Sequence, residues 1–331
     1  MVEEILPDIF KITVPLPDHA VRSVNSYIIA SSDRALVIDT GWNRMACLET
    51  LLNAMEETGV DPTRADLFLT HIHADHAGLA GWLAQKGATV YCGQRDIDLM
   101  DSFINVSGDK SWPHLQQLAK PHGFSTEELT KGLEAHAGNR YAPERIGPLT
   151  AVQDGAALCV GGYELTCVAT PGHTPGHMCL YEPRNKFLFA GDHLIGGFTP
   201  TISQWALEGK GVADYLASLD KLLALDIQLV LPGHWDSFAN WQGRIKKAKL
   251  FHEACHADIL AILADNAPQT ARQIAAARSW NGSKNAWVFF PMARKWSATA
   301  DTLAHLCYLR DHGRLDMFRQ QEQVLWRLKN D

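Results

Sequence analysis

The segment Thr70-His71-Ile72-His73-Ala74-Asp75-His76 places four side chains of the metal-ligand type within six positions, in the turn between an apolar strand, Leu67 to Leu69, and a helix read over Ala77 to Lys86. Alternate residues of an extended segment share a face, so His71 and His73 project to the same side. Asp75 and His76 follow as the chain turns, where they can address a second ion close to the first. Three more ligand-type residues close later strands: His173 in Thr170-Pro171-Gly172-His173, Asp192 in Gly191-Asp192, and His234 in Pro232-Gly233-His234. Each follows a glycine, which allows close backbone approach. A fold that uses them together must bring the ends of several strands to one place. The chain carries 15 histidines, and neutral imidazole is the commonest metal ligand.

Around these motifs strand and helix alternate. Short β-rich runs at Ile9 to Val14, Asn25 to Ala30 and Ala35 to Asp39 are separated by Pro15, Pro17 and Ser31-Ser32-Asp33. Met45, Leu48, Leu51, Leu52 and Met55 recur at helical spacing and predict a helix over Asn43 to Thr58. From about 95 to 150 a helical insertion is expected, with a capping-box pattern at Ser125 to Glu128 and apolar residues (Phe103, Ile104, Trp112, Leu115, Leu118, Phe124) suited to a lid or to a small core of their own. Strands resume at Ala157 to Val160, Tyr163 to Ala169, Met178 to Tyr181, Phe187 to Ala190 and Leu229 to Leu231, with a helix over Val212 to Leu225. Beyond them lie a helix over Arg244 to Asp265, a short one capped by Thr270, a third from about Ser297 to Asp311, and a short extended end. That order resembles a winged helix.

Charge supports a boundary at the same place. The net charge of −7 divides into −13 for residues 1–242 and +6 for residues 243–331. We therefore expect a catalytic domain over 1–242, interrupted by the insertion, and a winged-helix-like domain over 243–331. No apolar run reaches the roughly 18 residues of a bilayer span, and the start Met1-Val2-Glu3-Glu4 lacks a cationic leader region, so a location in the cytoplasm without membrane contact is expected. Seven scattered cysteines without a C-x-x-C pair fit reduced thiols there.

The order T-H-x-H-x-D-H, P-G-H-T-P-G-H, G-D and P-G-H over residues 5–240 resembles the metallo-β-lactamase superfamily, its glyoxalase II-like and lactonase-like members in particular. The resemblance implies an α+β fold of the αβ/βα sandwich type, two sheets face to face with helices outside and two metals at one edge. It implies His71, His73 and His173 as ligands of the first ion and Asp75, His76 and His234 of the second. Asp192 would bridge the two, and Asp39 would orient ligands through hydrogen bonds. Imidazole and carboxylate without thiolate suit zinc and admit manganese or iron. Two cations about 3.5 to 4 Å apart need anions between them, which Asp192 and a bridging hydroxide supply, and the hydroxide is a nucleophile at neutral pH.

The function so implied is a binuclear metallo-hydrolase of a small ester, thioester or lactone, with Asp75 and Asp192 as its catalytic carboxylates. His177 reads as support for the site; His193 faces either into it or away. Trp112, Phe124 and Tyr215 are candidate substrate contacts, and Tyr141 a candidate hydrogen-bond donor to a developing oxyanion. An endoribonuclease of the related winged-helix type and a mononuclear iron persulfide dioxygenase are the alternatives. The acidic catalytic half disfavours a polyanion. The C-terminal domain reads as a packing or dimerisation element, so the expected partners are a small acyl substrate and a second copy of the chain, with nucleic acid less favoured.

Overall fold

The computed structural model describes residues 1–17, 21–100, 113–143, 146–204, 206–264, 267–280, 282–283 and 285–329. Along the first half run β1 (Val2–Leu6), β2 (Ile9–Pro15), β3 (Ser23–Ile29), β4 (Ala35–Ile38), α1 (Met45–Glu57), β5 (Ala65–Phe68), α2 (Ala74–Ala77), α3 (Ala80–Gln85), β6 (Val90–Gly93), α4 (Gln94–Met100), α5 (Pro113–Ala119), α6 (Thr126–Ala135) and α7 (Ala137–Tyr141). The second half holds β7 (Leu149–Val152), β8 (Ala157–Val160), β9 (Tyr163–Ala169), β10 (Met178–Glu182), β11 (Phe187–Gly191), α8 (Gly211–Leu222), β12 (Leu229–Pro232), α9 (Trp241–Ala264), α10 (Ala271–Ala277), α11 (Met292–Asp311), β13 (Leu315–Gln320) and β14 (Gln323–Leu328). The described residues of 1–108, 137–200 and 218–245 form one compact unit, and those of 109–136, 201–217 and 246–331 another.

In the first unit β1 to β7 form one sheet in sequence order, antiparallel up to β4 and parallel from β4 to β7. A second sheet runs β12-β11-β10-β9-β8. The apolar runs of β3 to β5 show little alternation because both faces are buried. Tyr27, Ile29, Leu36, Ile38 and Phe68 pack against Leu165, Leu180, Phe187 and Phe189 of the second sheet. One residue out of step, Val24, Ile28, Val37 and Leu67 face Cys47, Leu51 and Met55 of α1 and Leu83 of α3. Burying each of these large side chains contributes roughly 1.5–3 kcal/mol. This is the αβ/βα sandwich.

Strand direction positions the site. β11 and β12 are parallel, and β9 shares their direction because both it and β11 are antiparallel to β10. The residues following β9, β11 and β12 therefore emerge at the same end of the second sheet. The helix expected over Ala77 to Lys86 is instead two, α2 and α3. At their junction Thr40 Oγ1 accepts from the Leu79 N–H at 3.1 Å, and α2 starts earlier than expected and carries Asp75 and His76.

In the second unit Leu129, Leu133, Ile259, Ile274, Trp296, Leu303, Leu306, Val324 and Trp326 share one core. The capping boxes at Ser125/Glu128 and Thr270/Gln273 are both formed, and Arg272 grips Glu128 through two hydrogen bonds of 2.7 and 2.5 Å. Part of the expected insertion thus packs with the last third of the chain. The extended end is a hairpin, β13 pairing with β14. Among the described residues no helix is long and apolar enough to cross a membrane.

Candidate metal centre

Construction of the site starts at Asp39, just beyond β4, whose backbone is left-handed (φ 57°) and whose side chain is buried. Its Oδ1 accepts from the Thr70 N–H at 2.9 Å, and its Oδ2 accepts from the Thr70 hydroxyl at 2.8 Å. The same Oδ2 lies 2.7 Å from His76 Nδ1. A carboxylate only accepts, so His76 keeps a proton on Nδ1 and turns Nε2, the nitrogen left for a ligand bond, to the site. The Thr70 hydroxyl has spent its proton on Asp39 and therefore accepts from His71 Nδ1 at 3.0 Å, which fixes the same tautomer there. His234 Nδ1 donates to the Ser23 carbonyl at 2.7 Å. Three imidazoles are thus aimed, Nε2 inward, by partners outside the cluster.

Donor atoms of His71, His73 and His173 lie within 4.8 Å of one another, as do those of His71, His76 and Asp192, and those of Asp75, His76 and His234. Asp192 spans the groups: Oδ2 is 3.6 Å from His173 Nε2, and Oδ1 is 3.5 Å from Nε2 of both His76 and His234. Asp75 Oδ2 stands 3.3 Å from His234 Nε2 and 3.8 Å from His76 Nε2.

These residues fit divalent cations. Among the described residues His76 Nε2 and Asp192 Oδ1 are buried without a hydrogen-bond partner, an arrangement that costs free energy unless something positive lies between them. His71 Nε2 and His73 Nδ1 are 3.1 Å apart, and two nitrogens on one tetrahedral zinc stand about 3.3 Å apart. Charge agrees. Burial and the neighbouring His173 push His73 down to about 3, and burial holds His71 well below its usual range, so both are neutral ligands. For His76 burial acts downward too, but the carboxylates of Asp39, Asp192 and Asp75 overcome it and raise the imidazole to about 10. The cluster draws a positive charge to the place where a metal would supply one.

Two glycines make the approach possible. Gly191 has φ 47°, and a Cβ there would meet Thr70 Oγ1 at 2.6 Å and His177 Nε2 at 2.7 Å. At Gly233 a Cβ would lie 2.6 Å from Asp192 Oδ1. The His234 loop is tied to β3, since Asn25 Nδ2 donates to the carbonyls of Pro232 (2.9 Å) and Trp235 (2.6 Å) and the Tyr27 hydroxyl to that of Pro232 (2.8 Å).

Residues 19–234 match the family model described as the metallo-beta-lactamase superfamily. The chain belongs to that superfamily. A metallo-beta-lactamase family protein from Thermus thermophilus is similar at 26% identity and TM-score 0.81, the match covering 98% of this chain and 100% of that one. A beta-lactamase domain protein from Burkholderia ambifaria gives TM-score 0.85 at 20% identity, over 99% and 94% of the two chains. The acyl-coenzyme A thioesterase MBLAC2 of Homo sapiens is 25% identical over 224 residues, 65% of this chain and 74% of that protein. Within the superfamily sandwich, the seven ligand-type residues picked out in the sequence all lie together, and their His/Asp groups are compatible with divalent metal binding.

Both nitrogens of His177 are engaged: Nε2 accepts the Asp192 N–H at 3.2 Å and Nδ1 faces Thr170 Oγ1 at 2.8 Å. It holds the backbone of Asp192. His193 is fully buried, 5.8 Å ring to ring from His177, and burial pushes it down to about 3. Tyr141 stacks on Trp42 at 4.3 Å. Two expected substrate contacts need correction. Phe124 belongs to the core of the second unit, with Trp296 at 6.0 Å and the Arg272 guanidinium 4.8 Å from its ring. Tyr215 is fully buried, 5.2 Å from the His252 ring. An apolar or aromatic residue looks the same in sequence whether it faces a ligand or a core. Trp112, with Phe103 and Ile104, lies outside the described residues.

Asp96, at the start of α4, is a residue that sequence reasoning misses. Its buried carboxylate accepts from the Ile72 N–H (3.2 Å), the Thr174 hydroxyl (2.7 Å) and the Gly176 N–H (2.6 Å), tying the loop of His71 and His73 to that of His173. No motif marks it, because two of its three partners are main chain.

Proposed function

We propose that this protein is a binuclear metal-dependent hydrolase of acyl esters, with thioesters as the leading substrate class. The observation that carries the reading is Asp192, which offers one carboxylate oxygen to each of two histidine groups and so has the geometry of a bridge. The likeness to an acyl-coenzyme A thioesterase supports the thioester. Two divalent cations held there, zinc matching the donors best, would lower the pKa of a water toward about 7 and polarise the scissile carbonyl.

The chain's own residues do the rest. His71, His73 and His173 hold one side and Asp75, His76 and His234 the other, with Asp39 and His177 fixing their orientation. Asp75, whose side chain is 20% exposed, is the most open of these carboxylates; burial acts to raise it, but His76 and His234 outweigh that and hold it ionised, as a ligand must be. Asp192 keeps the like charges of the two sides apart by lying between them. The order of α9, α10, α11 and the β13–β14 hairpin supports a winged-helix reading for the C-terminal region, with packing or self-association as its role.

Elemental analysis of the purified protein, coupled to a panel of thioesters, lactones, phosphodiesters and persulfides, tests this. We expect about two metals per chain and turnover of the acyl substrates. One iron per chain with persulfide oxidation, or turnover of phosphodiesters alone, would replace the reading.

A further inference from the structure

Nine large apolar side chains among the described residues are left exposed, and two of them, Phe198 (37%) and Trp235 (46%), lie on the loops that carry Asp192 and His234. They form a pair, ring centroids 4.7 Å apart and planes at 71°, the edge-to-face arrangement aromatic rings favour. Trp235 directly follows a ligand-type residue, and its ring centroid is 5.8 Å from that of His234.

Neither ring sits on a loose tip. Trp235 takes a left-handed backbone (φ 63°), uncommon for a bulky residue, and is held there by Asn25. Three residues on, Phe238 exchanges two backbone hydrogen bonds with Val230 of β12 at 2.9 and 3.1 Å. The Phe198 loop is pinned on both sides by Arg244, which donates to the Ile195 carbonyl at 2.5 Å and to Thr199 Oγ1 at 2.8 Å. The chain therefore invests strain and a buried guanidinium in presenting two rings to solvent beside the metal centre. Wet, rigid aromatic surface at such a position gains free energy when an apolar group covers it.

We propose that Phe198 and Trp235 form the wall against which the apolar acyl chain of the substrate lies, and that they set the preference for chain length. This rests on the hydrolase reading above. A charged or very short acyl group gains nothing from such a wall, whereas each added methylene laid along it removes more apolar surface from water.

The test compares wild type, Trp235→Ala and Phe198→Ala/Trp235→Ala on coenzyme A thioesters of acetyl, butanoyl and octanoyl groups. Binding of the non-hydrolysable thioethers S-ethyl- and S-octyl-coenzyme A is followed by calorimetry, with metal content measured throughout. In wild type kcat/KM should rise with chain length and the octyl thioether should bind more tightly than the ethyl one. In the double variant the octanoyl-to-acetyl ratio of kcat/KM, and the octyl-to-ethyl ratio of affinity, should each fall on the order of tenfold, mainly through KM. Active variants with normal metal whose two ratios match wild type would overturn the wall alone. A metal-loaded wild type that turns over none of the thioesters and binds neither thioether would overturn the thioester reading, and the wall with it.

Discussion

The backbone N–H of Asp192 donates to Nε2 of His177 at 3.2 Å, so an imidazole whose two nitrogens are already engaged decides where the Asp192 carboxylate stands. His177→Ala should lower metal retention and kcat/KM by about 10–100-fold, as loss of partners behind metal ligands does. His177→Gln, whose side-chain oxygen can accept from the same N–H, should recover part of that loss. Metal content after dialysis, read beside activity, checks both. Equal values for all three proteins would remove the role.

Asp39→Asn should act through tautomers. The amide offers a donor where His76 Nδ1 and the Thr70 hydroxyl need an acceptor, so Nε2 of His76 and His71 lose their fixed lone pairs. Metal affinity should fall by about 10–100-fold while the sandwich remains folded. Competition with a chromogenic chelator measures the first, and far-ultraviolet circular dichroism the second.

Asp96 gives a pH signature. Burial pushes its carboxyl up to about 6, above the unfolded reference of about 3.9. A carboxyl raised in the folded state favours folding fully below its unfolded value, and that contribution is lost as pH rises through about 6. Asp96→Asn, which does not titrate, should therefore gain on wild type between about pH 4 and pH 6.5, by on the order of 2 kcal/mol, and run parallel to it above. Urea unfolding of metal-free protein at several pH values tests this; parallel curves throughout would refute it.

In the second unit Thr270 caps α10, its hydroxyl accepting from the Gln273 N–H at 3.3 Å while Gln273 reaches back to the Thr270 N–H at 2.8 Å. Thr270→Ala should cost about 1 kcal/mol, read as a shifted denaturation midpoint at unchanged slope.

The candidate ligands are legible in the sequence because they lie in short contiguous motifs with glycine beside them, and close packing around Gly191 and Gly233 shows why a side chain is excluded there. The sandwich is legible in part, from buried runs such as β3 and β11. β1 and β7 are not, since Val2–Leu6 has two charged residues in succession and Leu149–Val152 is short and weakly patterned. Asp96 stays hidden because its role consists of hydrogen bonds to main chain 24 and 80 residues away. Phe124 misleads because it stands ahead of the Ser125 cap of α6, where an apolar residue shows that it will be buried without showing whether a ligand or a core buries it.

The grip of Arg272 on the Gly123 carbonyl and Glu128 spans 149 and 144 residues. A ribosome adding about 5–20 residues per second needs on the order of ten seconds to cover that span. Throughout that interval Phe124, Leu129 and Leu133 have emerged and the strands of the sandwich are still being made, while the side chains destined to cover them do not yet exist. Nascent chains of this protein should thus pass through a stage with a sticky central segment, and chaperone dependence should end only when the last helix and hairpin are released.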